Sequence, residues 1–135
     1  MACAGKPNTI MSNKKILLVE DDEMLLNILV DVFSKEQFTV LSARNGEEGL
    51  KQATEKVPDI ILLDILMPKM DGIAMMKKIR ENPKLKKTPA VILTNLNDTQ
   101  AITQALETGA YDFLVKSDWE PKDLLKKIKE KLGMA

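Results

Sequence analysis

The stretch that decides the fold is DIILLDILMPKMDG, residues 59–72. Its apolar run predicts a buried strand over residues 59–63, and a carboxylate, Asp64, follows that run directly. Pro68 and the Asp71-Gly72 pair then indicate a loop. The stretch therefore predicts a strand that delivers an acidic side chain to one edge of a sheet.

Three other short apolar runs also end in a polar residue suited to phosphoryl chemistry. They are ILLV before Glu20-Asp21-Asp22, AVIL before Thr94 and DFLV before Lys116. Helix-like patterns, with apolar residues three and four apart, follow the strand-like runs, so that five strands and five helices alternate along the chain. The predicted strands span residues 15–19, 38–43, 59–63, 89–93 and 111–115. This alternation is typical of βαβ units and predicts an α/β fold with a parallel sheet.

The polar strand endings predict one shared site. Ligands of open parallel sheets bind outside the carboxyl ends of the strands, so carboxylates, a hydroxyl and an ammonium would meet there. Taken singly, each residue also fits a simpler role: acidic residues favour the first turn of a helix, Asp64 suits a turn, and Thr94 and Lys116 are ordinary in a strand and a loop. The combination is more specific, since oxygen ligands beside a phosphoryl group suit Mg²⁺.

Length and composition indicate one compact domain. The chain has 135 residues, 44% of them hydrophobic, which suffices for one core. Its 20 basic and 20 acidic residues cancel, which argues against a protein whose main task is to neutralise nucleic acid. The cancellation hides an asymmetry, because residues 1–67 hold 7 basic and 11 acidic groups whereas residues 68–135 hold 13 and 9.

Cysteine content and the chain ends bear on the compartment. One cysteine, Cys3, and no histidine exclude an internal disulfide and a zinc site, so we expect a reducing cytoplasm. No apolar stretch approaches the roughly 20 residues that span a bilayer, and none is of signal-peptide type, so we expect no membrane contact. We expect residues 1–13 to be a flexible leader or an artificial remnant, and residues 14–133 to form the domain.

Four motifs resemble the receiver domain of two-component response regulators. They are ILLVEDD, DIILLDILMPKMDG, VILTN and YDFLVK, which stand in this order at family-like separations and cover about residues 14–132. The resemblance is to the chemotaxis-regulator-like, single-domain members. It implies a flavodoxin-like, doubly wound (βα)5 three-layer sandwich whose parallel five-stranded sheet has the order 2-1-3-4-5. We expect no output domain, so the chain would act alone or come from a longer regulator.

The resemblance implies roles for the acidic residues. Asp64 would accept a phosphoryl group from a sensor histidine kinase or a histidine phosphotransfer protein. Asp21 would ligate Mg²⁺ directly and Glu20 through water, while Asp64 and the backbone carbonyl of Leu66 would complete the protein ligands. The domain would catalyse only its own phosphorylation and dephosphorylation, so we expect a signalling domain rather than an enzyme with a diffusible substrate.

The resemblance also implies a switch. Thr94 and Lys116 match the family's switch hydroxyl and phosphate-contacting lysine, and Phe113 stands at the position of the switch aromatic. Inward movement of Thr94 would let Phe113 turn and would change the surface formed by the fourth helix, fifth strand and fifth helix. An unidentified downstream protein would bind there, or phosphorylation could drive dimerisation. The lysines of the last helix predict a solvated face rather than direct nucleic-acid binding.

Two positions depart from the family pattern, and two alternative functions stay open. Ser117 stands where proline commonly follows the lysine, and Asn95 is larger than the small residue frequent after Thr94. With Leu66 and Leu96 beside the entrance, we expect water attack on the phosphorylated site to be hindered. Rapid loss of phosphate from the isolated domain would count against this expectation. The alternatives are a phosphorylation-independent pseudo-receiver and a Mg²⁺-dependent phosphohydrolase. The sequence names neither the kinase nor the pathway.

Overall fold

The structure is a computed structural model that describes residues 14–36, 38–64, 72–94 and 99–133. The strands are β1 (Lys14–Val19), β2 (Phe38–Ala43), β3 (Ile60–Asp64), β4 (Ala90–Thr94) and β5 (Asp112–Val115). The helices are α1 (Glu23–Ser34), α2 (Gly46–Lys56), α3 (Gly72–Glu81), α4 (Thr99–Thr108) and α5 (Pro121–Lys131), with a short 3-10 turn at Lys116–Asp118. The predicted alternation of strands and helices is confirmed.

The five strands form one parallel sheet in the order β2-β1-β3-β4-β5, as the resemblance implied. β1 and β3 are neighbours near the centre, with Val19 aligned to Leu63. Because all strands run the same way, the residues that follow β1, β3, β4 and β5 reach the same edge of the sheet. That edge is called the carboxyl edge below, and the opposite one the amino edge.

Helices cover both faces of the sheet. One core lies between the sheet and helices α1 and α5, and the other lies between the sheet and helices α2, α3 and α4. Successive residues of a strand point to opposite faces, and in β1 Ile16 and Leu18 enter the first core whereas Leu17 and Val19 enter the second. The uninterrupted apolar runs follow from this two-sided burial.

Two strands that supply site residues end one residue later than predicted. β3 ends at Asp64 and β4 ends at Thr94, because both residues take part in the parallel ladder. Asp64 is aligned with Leu93, and Thr94 with Val115. The backbones of Asp64 and Thr94 are therefore fixed by the sheet and not by the loops that follow.

Among the residues that the structure describes, no helix is both long and apolar enough to cross a membrane.

Candidate functional site at the carboxyl edge

Glu20 and Asp21 lie where β1 leaves the sheet. The Glu20 backbone N–H donates to the carbonyl of Ala43 at 3.0 Å, which keeps Glu20 in line with β2. The Asp22 backbone N–H donates to Glu20 Oε2 at 3.0 Å and holds that carboxylate in place. Glu20 is only 2% exposed, whereas Asp21 is exposed to solvent. One buried and one accessible carboxylate therefore stand side by side.

Asp22 has a different role from the two acidic residues before it. It is the N-cap of α1, and its Oδ1 accepts hydrogen bonds from the backbone N–H groups of Met24 and Leu25 at 3.1 and 3.3 Å. The simpler role of the acidic run, a cap on a helix, thus holds for Asp22. The signal for it was an aspartate directly before the periodic apolar residues of α1.

Three carboxylates form a cluster at this edge. Asp64 is buried at the end of β3, beside the end of β1. One oxygen from each of Glu20, Asp21 and Asp64 lies within 4.8 Å of the other two. Three such oxygens repel one another unless a cation stands between them. The structure thus brings together the carboxylates that the sequence predicted to lie close to one another.

Lys116 reaches this cluster from the carboxyl end of β5, the outermost strand on that side of the sheet. It follows β5 and begins the 3-10 turn. Its Nζ lies 3.0 Å from Glu20 Oε1 and 3.1 Å from Asp64 Oδ2, and its side chain is 22% exposed. The ammonium therefore bridges the two buried carboxylates, a pairing that no local sequence pattern could indicate because 52 residues separate Asp64 from Lys116.

The electrostatics follow from burial and from these contacts. Burial raises the pKa of Glu20 to about 7, since loss of water and the charge of Asp64 outweigh the Asp22 N–H and the Lys116 ammonium, which lower it. Burial also lowers the pKa of Lys116, but its contacts with Glu20 and Asp64 outweigh that effect and leave the pKa above its ordinary value. The Glu20 carboxyl is thus costly to ionise, and it lies next to an ammonium that holds its proton tightly.

The site fits a hard divalent cation on its own geometry. Glu20 Oε1 is buried and accepts no well-aligned hydrogen bond within the described part of the chain, although Lys116 Nζ lies 3.0 Å away. A cation would give this oxygen a partner. All candidate ligands are carboxylates, which hard ions such as Mg²⁺ prefer. Asp21 faces solvent and leaves a route for an ion and its water ligands.

Thr94 and Phe113 lie on the two neighbouring strands β4 and β5. Thr94 is 2% exposed at the end of β4. Phe113 is half-buried, is aligned with Ile92, and packs against the core on the α4 side of the sheet. Since Thr94 stands two residues after Ile92, the side chains of Thr94 and Phe113 are directed to the same face of the sheet. Leu66, Asn95 and Leu96 lie outside the described residues, and Ser117 is exposed in the 3-10 turn.

Comparison with known proteins identifies the class of protein that this fold and this site define. The family model described as the response regulator receiver domain matches residues 16–129. The chain belongs to this family. Receiver domains are signalling domains of two-component systems that bind Mg²⁺ at an acidic pocket, and response regulators are phosphorylated by sensor histidine kinases.

Individual relatives agree with the family assignment. The alkaline phosphatase synthesis transcriptional regulatory protein PhoP of Bacillus subtilis is 34% identical over 117 residues, which are 87% of this chain and 48% of PhoP. A putative response regulator from Chloroflexus aurantiacus, known from a crystal structure, has a TM-score of 0.80 and 33% identity and covers 90% of this chain and 98% of its own. A receiver domain protein from Methanospirillum hungatei has a TM-score of 0.82 and 30% identity, over 90% and 95%. The chain spans about half the length of this curated relative.

Proposed function

We propose that this chain is a phosphorylation-switched receiver domain that takes a phosphoryl group from a phosphohistidine onto Asp64 in a Mg²⁺-dependent reaction. The observation that carries the proposal is the meeting of Asp64 with two further carboxylates, within 4.8 Å, and with the Lys116 ammonium at 3.1 Å. A receiver domain needs these groups to bind a cation, to attack phosphorus and to neutralise the transferred charge.

In the proposed transfer, a carboxylate oxygen of Asp64 attacks phosphorus in line. The bond between phosphorus and the imidazole nitrogen breaks, its electron pair stays on that nitrogen, and the product is an aspartyl phosphate. Lys116, already in contact with Asp64 Oδ2, would pair with a phosphoryl oxygen as negative charge develops. The sheet supplies the rigidity, because the Asp64 backbone is part of the ladder.

The cation would be held by this chain's own oxygens. Asp21, Asp64 and the backbone carbonyl of Leu66 would ligate Mg²⁺ directly, and Glu20 would act through water. Bound Mg²⁺ would neutralise charge on the phosphoryl oxygens. The domain would then also hydrolyse its own phosphoaspartate, slowly if Asn95, together with Leu66 and Leu96, obstructs the attacking water.

The proposed output is a change of surface at α4, β5 and α5. Thr94 would bind a phosphoryl oxygen, and Phe113 would move into the space that Thr94 leaves. Leu106 and Tyr111 on this surface are 40% and 62% exposed, so a downstream protein or a second copy could bury them. We further propose that residues 14–133 are the whole of the receiver domain, that the phosphoryl donor is a sensor histidine kinase or a histidine phosphotransfer protein, and that both act in the cytoplasm.

Intact-mass measurement after incubation with Mg²⁺ and a small acyl phosphate tests the proposal. The wild type should gain the mass of one phosphoryl group, while Asp64→Asn should gain none and Asp21→Asn should gain much less. Asp59→Asn is the matched control. Asp59 directly precedes β3 at the amino edge, and its Oδ2 accepts the Lys15 N–H at 2.8 Å, which an amide oxygen can also do. This variant should be phosphorylated like the wild type.

Two other outcomes point to the other functions. A folded wild type that gains no mass with any acyl phosphate would favour the pseudo-receiver, an interaction module without the chemistry. Continuous release of phosphate from a diffusible ester, at a rate that Asp64→Asn abolishes, would favour the phosphohydrolase.

A further inference from the structure

The turn between α3 and β4 concentrates positive charge that phosphoryl transfer does not use. Residues 77–87 contain six basic residues and one acidic residue. Lys84, Lys86 and Lys87, called the basic turn below, are exposed, and none of them forms an ion pair with any residue that the structure describes. Part of the excess of basic residues in the second half of the sequence therefore lies in residues 77–87.

Several other lysines have acidic neighbours. On α5, Lys126 and Lys127 line a groove together with Asp123 and Glu130, so the groove carries both positive and negative groups. On the same helix, the half-buried Lys129 pairs with Glu36 at 2.9 Å. Mixed surfaces of this kind are ordinary solvated faces. The basic turn differs from these mixed surfaces, because the only acidic residue within residues 77–87 is Glu81 at the end of α3.

Arg80 holds the basic turn rigidly in place. Arg80 follows the exposed Lys77 and Lys78 on α3, but its own side chain is half-buried against the turn. Its guanidinium donates to the carbonyls of Leu85, Lys86 and Thr88 at 3.2, 3.0 and 2.8 Å, and twice to that of Gly109, at 3.2 and 2.8 Å. These partners are carbonyls and carry no charge, so Arg80 adds to the positive charge of the turn.

Gly109 and Leu85 complete the support of the turn. Gly109 has a φ of +114°, and a Cβ there would lie 2.9 Å from the Arg80 side chain, so only glycine lets the guanidinium approach. Leu85 is fully buried between the lysines and anchors the turn in the core. The lysines therefore stand on a preorganised backbone, which reduces the entropy lost when a partner binds.

The basic turn is remote from the acidic cluster. It precedes β4 at the amino edge, whereas Thr94 ends β4 at the carboxyl edge. Five residues of parallel strand separate these edges by about 17 Å. A partner on the basic turn would therefore leave Asp64 accessible to a phosphoryl donor.

We propose that the basic turn is a docking surface for an acidic segment of a partner protein, and that this docking does not depend on phosphorylation. The chain has no net charge, so its attraction for anions is local and acts over about one Debye length, roughly 8 Å. That range suits a short acidic peptide better than a long polyanion. Residues 77–88 contain no aromatic residue that could stack on a base, and Leu85 is buried and cannot enter a bilayer.

Fluorescence anisotropy with a labelled polyglutamate peptide tests this proposal on the whole chain. The wild type should bind the peptide, more weakly as salt is raised. The triple variant Lys84→Glu/Lys86→Glu/Lys87→Glu should lose about tenfold or more in affinity, because three attractive contacts become repulsive. Should that variant fold poorly, the corresponding Lys→Gln triple variant keeps the polar surface and should still lose severalfold.

The matched control changes the same number of charges elsewhere. It reverses Lys122, Lys126 and Lys127 on α5 and should bind the peptide within about twofold of the wild type if the effect is local. Asp64→Asn should also bind like the wild type, and both triple variants should still be phosphorylated by an acyl phosphate, which separates this test from that of the proposed function. Equal losses in the two triple variants, or no binding by the wild type, would overturn the proposal. Tighter binding to duplex DNA, or to vesicles with anionic phospholipid, would overturn it as well.

Discussion

Glu20→Gln should stabilise the metal-free domain at neutral and alkaline pH. Glu20 is 2% exposed, lies beside the charge of Asp64, and has one oxygen without a well-aligned hydrogen bond among the described residues. Ionising it in the folded state is therefore costly, and the pKa rises to about 7. An amide has nearly the same shape but carries no charge at any pH, so the substitution removes this cost.

The magnitude follows from the pKa of Glu20 in the two states. The difference between an ordinary value of 4.5 and a folded value of about 7 corresponds to about 3 kcal/mol. That difference already includes the favourable contact with Lys116. The amide nitrogen of the variant cannot accept a hydrogen bond, which offsets about 1 kcal/mol of the gain, so the net stabilisation at about pH 8 should be about 2 kcal/mol. Between pH 4.5 and about 7 the folded state binds more protons than the unfolded state, so the stability of the wild type falls as the pH rises through this window.

Urea denaturation followed by circular dichroism, across this pH range and with and without Mg²⁺, measures the effect. Without the ion, the variant should be more stable than the wild type above about pH 7 and should lack the fall with pH. With Mg²⁺ the difference in the free energy of unfolding between the two proteins should shrink or change sign, because the ion gives Glu20 of the wild type a favourable partner. Glu55→Gln, an exposed glutamate of α2, is the control and should change little. A variant less stable than the wild type at high pH without Mg²⁺ would refute the reasoning.

Three further changes probe the scaffold outside the acidic cluster. Arg80→Lys should cost about 2 kcal/mol in urea denaturation, since a lysine cannot satisfy the four carbonyls that the guanidinium binds; an unchanged midpoint would contradict this. Asp22→Ala should cost about 1 kcal/mol through loss of the α1 cap, and Asp22→Ser should recover most of it. Burial raises the pKa of Asp112, but hydrogen bonds from Lys131 and a backbone N–H outweigh this and hold the pKa below its ordinary 3.8. The resulting stability is present above that value and is lost as the pH falls through the folded pKa, so Lys131→Met should flatten the acid limb of the denaturation profile.

The alternation of strands and helices could be predicted because each strand is buried on both faces. An uninterrupted apolar run such as Ile60 to Leu63, bounded by polar residues, is too short for a buried helix and fits a central strand. The convergence of Glu20, Asp64 and Lys116 then followed from topology alone, since parallel strands bring their carboxyl ends to one edge. What the sequence could not indicate is which oxygen each group contacts, because that depends on side chains that are distant in sequence.

Arg80 shows where periodicity fails. Its helical spacing places it beside exposed lysines, and its burial arises only because the α3–β4 turn and Gly109 fold back over it. No local pattern contains the Gly109 contact, which lies 29 residues away. The predicted end of β3 was one residue too early for a related reason. Asp64 is polar and suggests a loop, but its backbone completes the ladder with β4. In both cases tertiary contacts override a rule that is correct for the isolated segment.

The two ends of β4 and β5 differ in a way that bears on how a switch could work. At the amino edge, Arg80 ties the α3–β4 turn to Gly109 at the end of α4, and the Tyr111 N–H donates to the Ala90 carbonyl at 2.8 Å. At the carboxyl edge, Thr94 ends β4 next to the end of β3, where Asp64 and two further carboxylates repel one another. A change of charge at Asp64 therefore acts on the end of the strands where the electrostatic balance is unfavourable, while the opposite end is fixed by a half-buried guanidinium and its carbonyls. Movement of α4 should accordingly be largest near its N-terminus and smallest at Gly109, and this gradient requires Arg80.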